Sequence, residues 1–236
     1  MQSNELPDDI KELAVKNISE ANELPPLWKA SPEEPYALRR FHPSRSEDTQ
    51  RFKDIDRHPE VNKWMIPEEP SSNQDLDSLL NTNEADRTDP RIIWAVVDKK
   101  GEAVGWVQFY EDEHLSQEER DKMEIPKDAL ILEVSYAKLF NEWPKGTDFI
   151  EDRDNLLDTD YGGVAVSGLR QALIRIREME NTVSLAAEHP RKIYVIAYTD
   201  SKNTASEAVL SKNDFQNVEQ TKYDDGEVET TWIREV

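Results

Sequence analysis

The order of elements between Leu130 and Tyr198 constrains this chain's fold more than any other feature. "LILEVSYAKL" and "KIYVIAYT" are β-rich, largely apolar runs. Between them lies a glycine-rich entry into a helix that carries Leu169, Ala172, Leu173 and Ile176 on one side. Two strands joined through a helix cannot form a tight hairpin. They lie parallel in one sheet, with a right-handed crossover. The unit places the chain in the α/β (α+β) class.

The flanking sequence supplies the rest of a mixed sheet. "YALRRFH" reads as a first strand, and the segment from Ser44 to Met65 as one or two short helices broken near Pro59. "QDLDSLLNTNEAD" reads as a further short helix. "RIIWAVVDKKGEAVGWVQFYE" is two β-rich runs about a Lys-Lys-Gly-Glu turn, a β-hairpin. After the βαβ unit, "KNTASEAVLSKND" reads as a short helix with Ala205, Val209 and Leu210 inward, capped by Asp200 or Ser201. "VEQTKYDDGEVETTWIREV" closes the chain as a hairpin around Asp225–Gly226. Residues 1–35 read as an N-terminal extension, helical around Ile10, Leu13, Ala14 and Ile18 and then broken by four prolines. The domain is expected over 36–236. Within it, 141–160 is a polar stretch of about twenty residues without a period, long enough to suggest a lid or binding loop.

Glycine is scarce, seven in 236 residues, yet Gly162, Gly163 and Gly168 fall at one helix entrance. A helix start leaves about four N–H groups without intrahelical partners, and the helix dipole adds positive character there. Glycine lets an anion approach such a backbone closely. The same glycines also suit a tight turn. Neither the G-x-G-x-x-G of dinucleotide folds nor the G-x-x-x-x-G-K-[ST] of P-loop enzymes is present.

Taken in order, "LILEVSYAKL", "YGGVAVSGLRQAL", "KIYVIAYT" and "DSKNTASEAVLSKNDF" resemble the GNAT superfamily of N-acetyltransferases. The resemblance is to the branch that acetylates ribosomal-protein N-termini and to its aminoglycoside-acetylating relatives. It implies a mixed central sheet of about seven strands, with parallel strands four and five splayed apart and helices on both sides. Gly163 and Ala165 fill the Gly-x-Gly/Ala positions of the pyrophosphate loop, while Asp160 stands where Gln or Arg is customary. Asn203, Ser206, Val209, Leu210, Lys212 and Phe215 match the helix that follows strand five, with Asp214 in place of Gly.

The resemblance implies a cofactor, acetyl-CoA (coenzyme A after transfer), and a set of contacts to it. The implied contacts are Gly162, Gly163, Val164, Ala165, Val166 and Ser167 at the loop; Val134, Ser135, Tyr136 and Ala137 on strand four; and Asn203, Ser206, Leu210 and Lys212 on the later helix. Glu133 is the implied general base. Leu210 occupies the position of the family's tyrosine acid, which leaves Ser206, Tyr136 or water to return a proton. Trp64, Trp106, Tyr110 and Glu133 are candidates for the acceptor side.

Composition narrows the partners. Twenty-nine basic against 50 acidic residues give a net charge of −21, which repels nucleic acid and anionic membranes and favours a cationic amine. Solubility explains the same charge. The chain has no cysteine, no apolar run of membrane-spanning length and no secretory leader, which fits a cytoplasmic protein. The four histidines have no metal-ligand spacing. The expectation is an acetyl-CoA-dependent N-acetyltransferase, monomer or homodimer, acting on an amine-bearing small molecule or peptide. A non-catalytic acyl-CoA-binding module and an acidic interaction module are the rivals.

Overall fold

The computed structural model describes residues 27–40, 46–64, 92–112, 115–138, 163–184 and 192–236. The predicted N-terminal helix, the helix within 74–86, the 141–160 loop, Asp160 and Gly162 lie outside the described residues. The elements are β1 (Ala37–Arg40), α1 (Ser46–Asp56), α2 (Pro59–Asn62), β2 (Ile92–Val97), β3 (Ala103–Glu111), α3 (Gln117–Lys122), β4 (Leu130–Lys138), α4 (Val164–Ser184), β5 (Ile193–Asp200), α5 (Thr204–Lys212), β6 (Gln216–Lys222) and β7 (Val228–Glu235).

Seven strands form one sheet in the order β1-β2-β3-β4-β5-β7-β6. The β2–β3 and β6–β7 hairpins are antiparallel. Their turns carry Gly101 and Gly226 at φ +83° and +88°, a left-handed conformation that glycine adopts without Cβ strain. β4 and β5 pair in parallel, as a strand–helix–strand order requires.

Strand alternation sorts the side chains into two layers. Trp94, Val96, Val107, Phe109, Leu132, Val134, Val195 and Ala197 form the principal core with Leu169, Ala172, Leu173 and Ile176 of α4. The i, i+3, i+4, i+7 spacing of those α4 residues is what turns one apolar stripe onto the sheet. On the opposite face, Phe52 and Ile55 of α1 cover Ile93, Ala95, Val97, Trp106 and Ala137. A third cluster on that face joins Leu115 and Ile125 to Ile131, Ile196 and Ile233.

Three local expectations change. Ala205 is exposed rather than inward, because α5 turns Leu210 into the core and Val209 onto its margin. The α5 N-cap is Asn203, whose Oδ1 accepts from the Ser206 N–H at 3.2 Å, not Asp200 or Ser201. Helix α3 is not among the expected elements, although "SQEE" is a capping-box signature. Ser116 and Glu119 cap each other's backbone there.

Gly168 is a packing glycine. A Cβ there would stand 2.6 Å from Cγ2 of Val96 and 3.5 Å from Cγ2 of Val107. Both valines are buried and stiff at χ1. We expect Gly168→Ala to destabilise the fold by about 1–3 kcal/mol in urea unfolding, the usual cost of overpacking, and Val96→Ala to relieve part of it. An unfolding midpoint equal to wild type would contradict this contact.

Candidate active site

The β4–β5 ladder runs only from Leu130↔Ile193 to Glu133↔Ile196. β4 continues to Lys138 and β5 to Asp200 without pairing to each other, so the two strands diverge beyond Glu133. Alternation fixes which main-chain groups face the fork. Ile131 O accepts from the Asp112 N–H on the β3 side at 3.1 Å, whereas the Leu130 N–H donates to Lys192 O on the β5 side at 2.9 Å. Even-numbered residues of β4 therefore face β5, and past Glu133 the polar groups of Val134 and Tyr136 point into the fork. Those of Ser135 and Ala137 belong to the β3 ladder, opposite Gln108 and Trp106, which removes their amides from the expected contacts.

The entrance of α4 lies over the end of β4. A Cβ on Gly105 would stand 2.8 Å from Ala137 O and 3.0 Å from Cγ1 of Val164, so glycine here lets the helix start close to the sheet. The first intrahelical bond runs from the Ser167 N–H to Gly163 O at 3.0 Å. The N–H groups of Gly163, Val164, Ala165 and Val166 precede it and have no acceptor within the helix. A Cβ on Gly163 would meet nothing within 4 Å among the described residues. Asn213 ties α5 to the same turn, its Nδ2 donating to Val166 O at 3.3 Å and Val209 O at 2.9 Å.

Two expected contacts are corrected here. Ser167 is buried with its N–H inside the helix and its Oγ donating to Glu34 at 2.7 Å, so neither donor is left for a ligand. Leu210 is 0% exposed and belongs to the principal core, so its side chain offers a ligand no surface. Tyr136 links the fork to α5, its hydroxyl donating to Ser206 O at 3.2 Å. Burial pushes that phenol far above its usual range, which makes it a poor proton donor. The Ser206 side chain is half-buried at the same junction. Lys212 is exposed in the last turn of α5, at the far end of the helix from Asn203.

The opposite face of the fork carries a polar floor. Tyr110 and Glu133 are direct cross-strand partners, and the Tyr110 hydroxyl donates to Glu133 Oε1. Tyr198, two residues beyond Ile196, shares that face. Its hydroxyl donates to Asp112 Oδ2 at 3.2 Å, while Asp112 Oδ1 accepts from the Leu115 N–H at 3.0 Å. Burial, then the neighbouring carboxylates, push both phenols well above the ordinary tyrosine range. Each is a hydrogen-bond donor to a carboxylate rather than an acid.

Of the sequence's acceptor-side candidates, the structure brings Tyr110 and Glu133 together. Trp106 is corrected to core: 1% exposed, with its ring 5.6 Å from Phe52. Trp64 is half-buried beneath the Lys63 ammonium at 4.7 Å. Sequence reading missed Tyr198, although period-2 alternation from Ile196 points to it. It also missed the buried Asp112, for which it offered no signal.

Removing the Tyr110 hydroxyl isolates one element of this floor. Under the activity that the sequence resemblance implies, Tyr110→Phe is expected to lower amine-dependent turnover about tenfold in steady-state assays, a tenth or less of a general base's contribution, with unchanged thermal stability. Turnover equal to wild type would make the pair structural.

No family model and no curated protein matches the sequence. Solved structures do match. A GNAT-family acetyltransferase from Bacillus anthracis superposes with TM-score 0.56 at 16% identity, over 89% of this chain and 98% of that one. The fold is the GNAT fold. A spermidine N-acetyltransferase from Vibrio cholerae in complex with CoA and spermine gives 0.53 at 13% identity, over 85% and 95%. The ribosomal-protein-S5-alanine acetyltransferase from Vibrio fischeri gives 0.51 at 17%, over 86% and 93%. In GNAT terms, the fork is the opening between strands four and five, and α4 is the helix that follows strand four.

Proposed function

We propose that this chain is an acetyl-CoA-dependent N-acetyltransferase acting on a primary amine in a ternary complex. One observation carries the reading: a parallel pair that opens at Glu133, with helix amides that have no intrahelical acceptor over the end of the same strand. CoA-bound structures among those of the same fold support the cofactor. The residues present fit it. The amides of Gly163 to Val166 would receive its phosphates, where a Cβ on Gly163 meets none of the described residues within 4 Å, and the fork is an extended slot with strand-edge donors.

Acetyl-CoA, when bound, supplies an acetyl thioester whose C–S bond breaks as the N–C bond forms. The chain's part is to position and to move a proton. The main-chain N–H groups of Val134 and Tyr136 are the donors available to the acetyl carbonyl oxygen, a role in which one donor is worth about 10²–10³ in rate. Half-buried Ser206, joined to the fork through Tyr136, and Asn203, which caps the same helix, are the side chains we assign to the cofactor's arm. Glu133, oriented by Tyr110, draws an ammonium toward the fork and takes its proton. Tyr110, Tyr136 and Tyr198 all have their pKa raised, so the proton needed by the leaving thiol would come from the attacking nitrogen as it becomes an amide, directly or through water, rather than from these phenols.

The acceptor we favour is cationic: a polyamine, an aminoglycoside, or a peptide N-terminus or lysine. The carboxylate floor and the net charge of −21 support that choice. Residues 36–236 form the catalytic domain in this reading, with Trp64 at the acceptor side. Calorimetric titration of the full chain with coenzyme A tests the cofactor assignment. Saturable one-to-one binding that weakens with salt is expected, and no heat at millimolar concentration would overturn it. Binding without turnover on any amine would assign the fold to CoA binding alone.

A further inference from the structure

Residues 28–36 precede the strand that opens the sheet, in a segment whose prolines mark an extension, yet they are fastened across it. Trp28 and Leu38 exchange two backbone hydrogen bonds of 2.8 Å, and Arg175 of α4 lies 5.7 Å above the Trp28 ring. The attachment centres on Glu34, a carboxylate only 4% exposed. Its Oε2 accepts from Ser167 Oγ at 2.7 Å and Arg170 Nη2 at 3.0 Å, and its Oε1 accepts from Arg170 Nε at 3.0 Å. The guanidinium thus grips the carboxylate with two donors. Buried Gln171 completes the seam. Its Nε2 donates to Tyr36 O and to Ser167 Oγ, both at 3.1 Å, and its Oε1 accepts from the Ala30 N–H at 3.3 Å.

The three α4 residues that hydrogen-bond in this network lie within its first eight residues. Ser167 carries the helix's first intrahelical bond, to Gly163. Whatever fixes Ser167 therefore fixes the turn whose amides, without acceptors inside the helix, face the proposed cofactor. A buried ion pair is weak evidence for stability, since apolar residues of like volume often hold an interior equally well. What directional bonds add is a defined position. The charge arrangement agrees: a carboxylate one turn from an anion site would repel phosphate, and the two-pronged Arg170 contact neutralises it.

We infer that residues 28–36 are a strap that sets the α4 entrance in its binding shape, with Glu34 as positioning residue for the phosphate end of acetyl-CoA. The inference rests on the proposed function. Coupling of this kind is reciprocal: if the docked strap strengthens cofactor binding, bound cofactor must stabilise the docked strap by the same factor.

The test is hydrogen–deuterium exchange on the full-length protein with and without saturating coenzyme A, alongside calorimetric affinities of Glu34→Gln and Arg170→Gln. In the wild type, coenzyme A should slow exchange across 28–38 by at least about fivefold, the lower end of common coupling. Both variants should bind about tenfold more weakly, the loss falling on KM for acetyl-CoA more than on kcat. Electrostatics alone predicts opposite signs, because Glu34→Gln removes a negative charge and Arg170→Gln a positive one. Wild-type binding with unchanged exchange in 28–38 overturns the strap, leaves the cofactor assignment standing, and needs no variant to fold. Tighter binding by Glu34→Gln also overturns it. Absence of coenzyme A binding in the wild type overturns the strap and the proposed function together.

Discussion

Gly163→Asp should abolish coenzyme A binding while leaving the protein folded. The position directly precedes α4, with ordinary backbone angles and nothing within 4 Å of where a Cβ would stand. Aspartate is among the preferred residues at a helix N-cap, and its charge complements the helix dipole, so the melting temperature should hold or rise. The same carboxylate would occupy the phosphate approach and accept the amides that phosphate needs. At about 5 Å and an effective dielectric near 20, two unit charges repel by about 3 kcal/mol, more than a hundredfold in affinity. Calorimetry and a thermal melt on one sample separate the two effects. A folded variant with wild-type affinity would remove the α4 entrance from the site.

The second large effect belongs to Glu133→Gln. Glutamine keeps the volume and still accepts from the Tyr110 hydroxyl, so the β3–β4 pair should persist. It cannot take a proton. General bases contribute about 10²–10⁴ in rate, and we expect kcat to fall at least about a hundredfold with little change in KM for acetyl-CoA. The pH–rate profile should lose the dependence attributable to this carboxylate at the acidic end. An unchanged profile would remove Glu133 as the base. A rise confined to the amine's KM would make it an ammonium-binding group instead.

The architecture was readable because local and long-range signals agreed. Alternating apolar residues in "IIWAVV" and "YVIAY", glycines at the hairpin turns, and the α4 stripe of Leu169, Ala172, Leu173 and Ile176 each require one arrangement. The fork was implied by resemblance, and pairing that stops at Glu133↔Ile196 gives it a position. The site was less legible because sequence says which residues lie near one another, not which donors are already used. Ser167 looked like part of an anion loop until its hydroxyl met Glu34 from 133 residues away. Trp106 looked like a pocket wall, yet alternation and helix α1 bury it against Phe52. Glu34 itself sits among prolines in an acidic stretch, and nothing local distinguishes it from Glu33, which is exposed.

The most direct test of the account is thiol release from acetyl-CoA by the full-length protein, followed with and without amines. The panel should include spermidine, an aminoglycoside and an alanine-terminated peptide. We predict release that depends on both protein and amine, saturates in each, yields one acetylated amine per thiol, and favours the more cationic acceptors. Bound coenzyme A with release no faster than the amine-free background, across the whole panel, would contradict it.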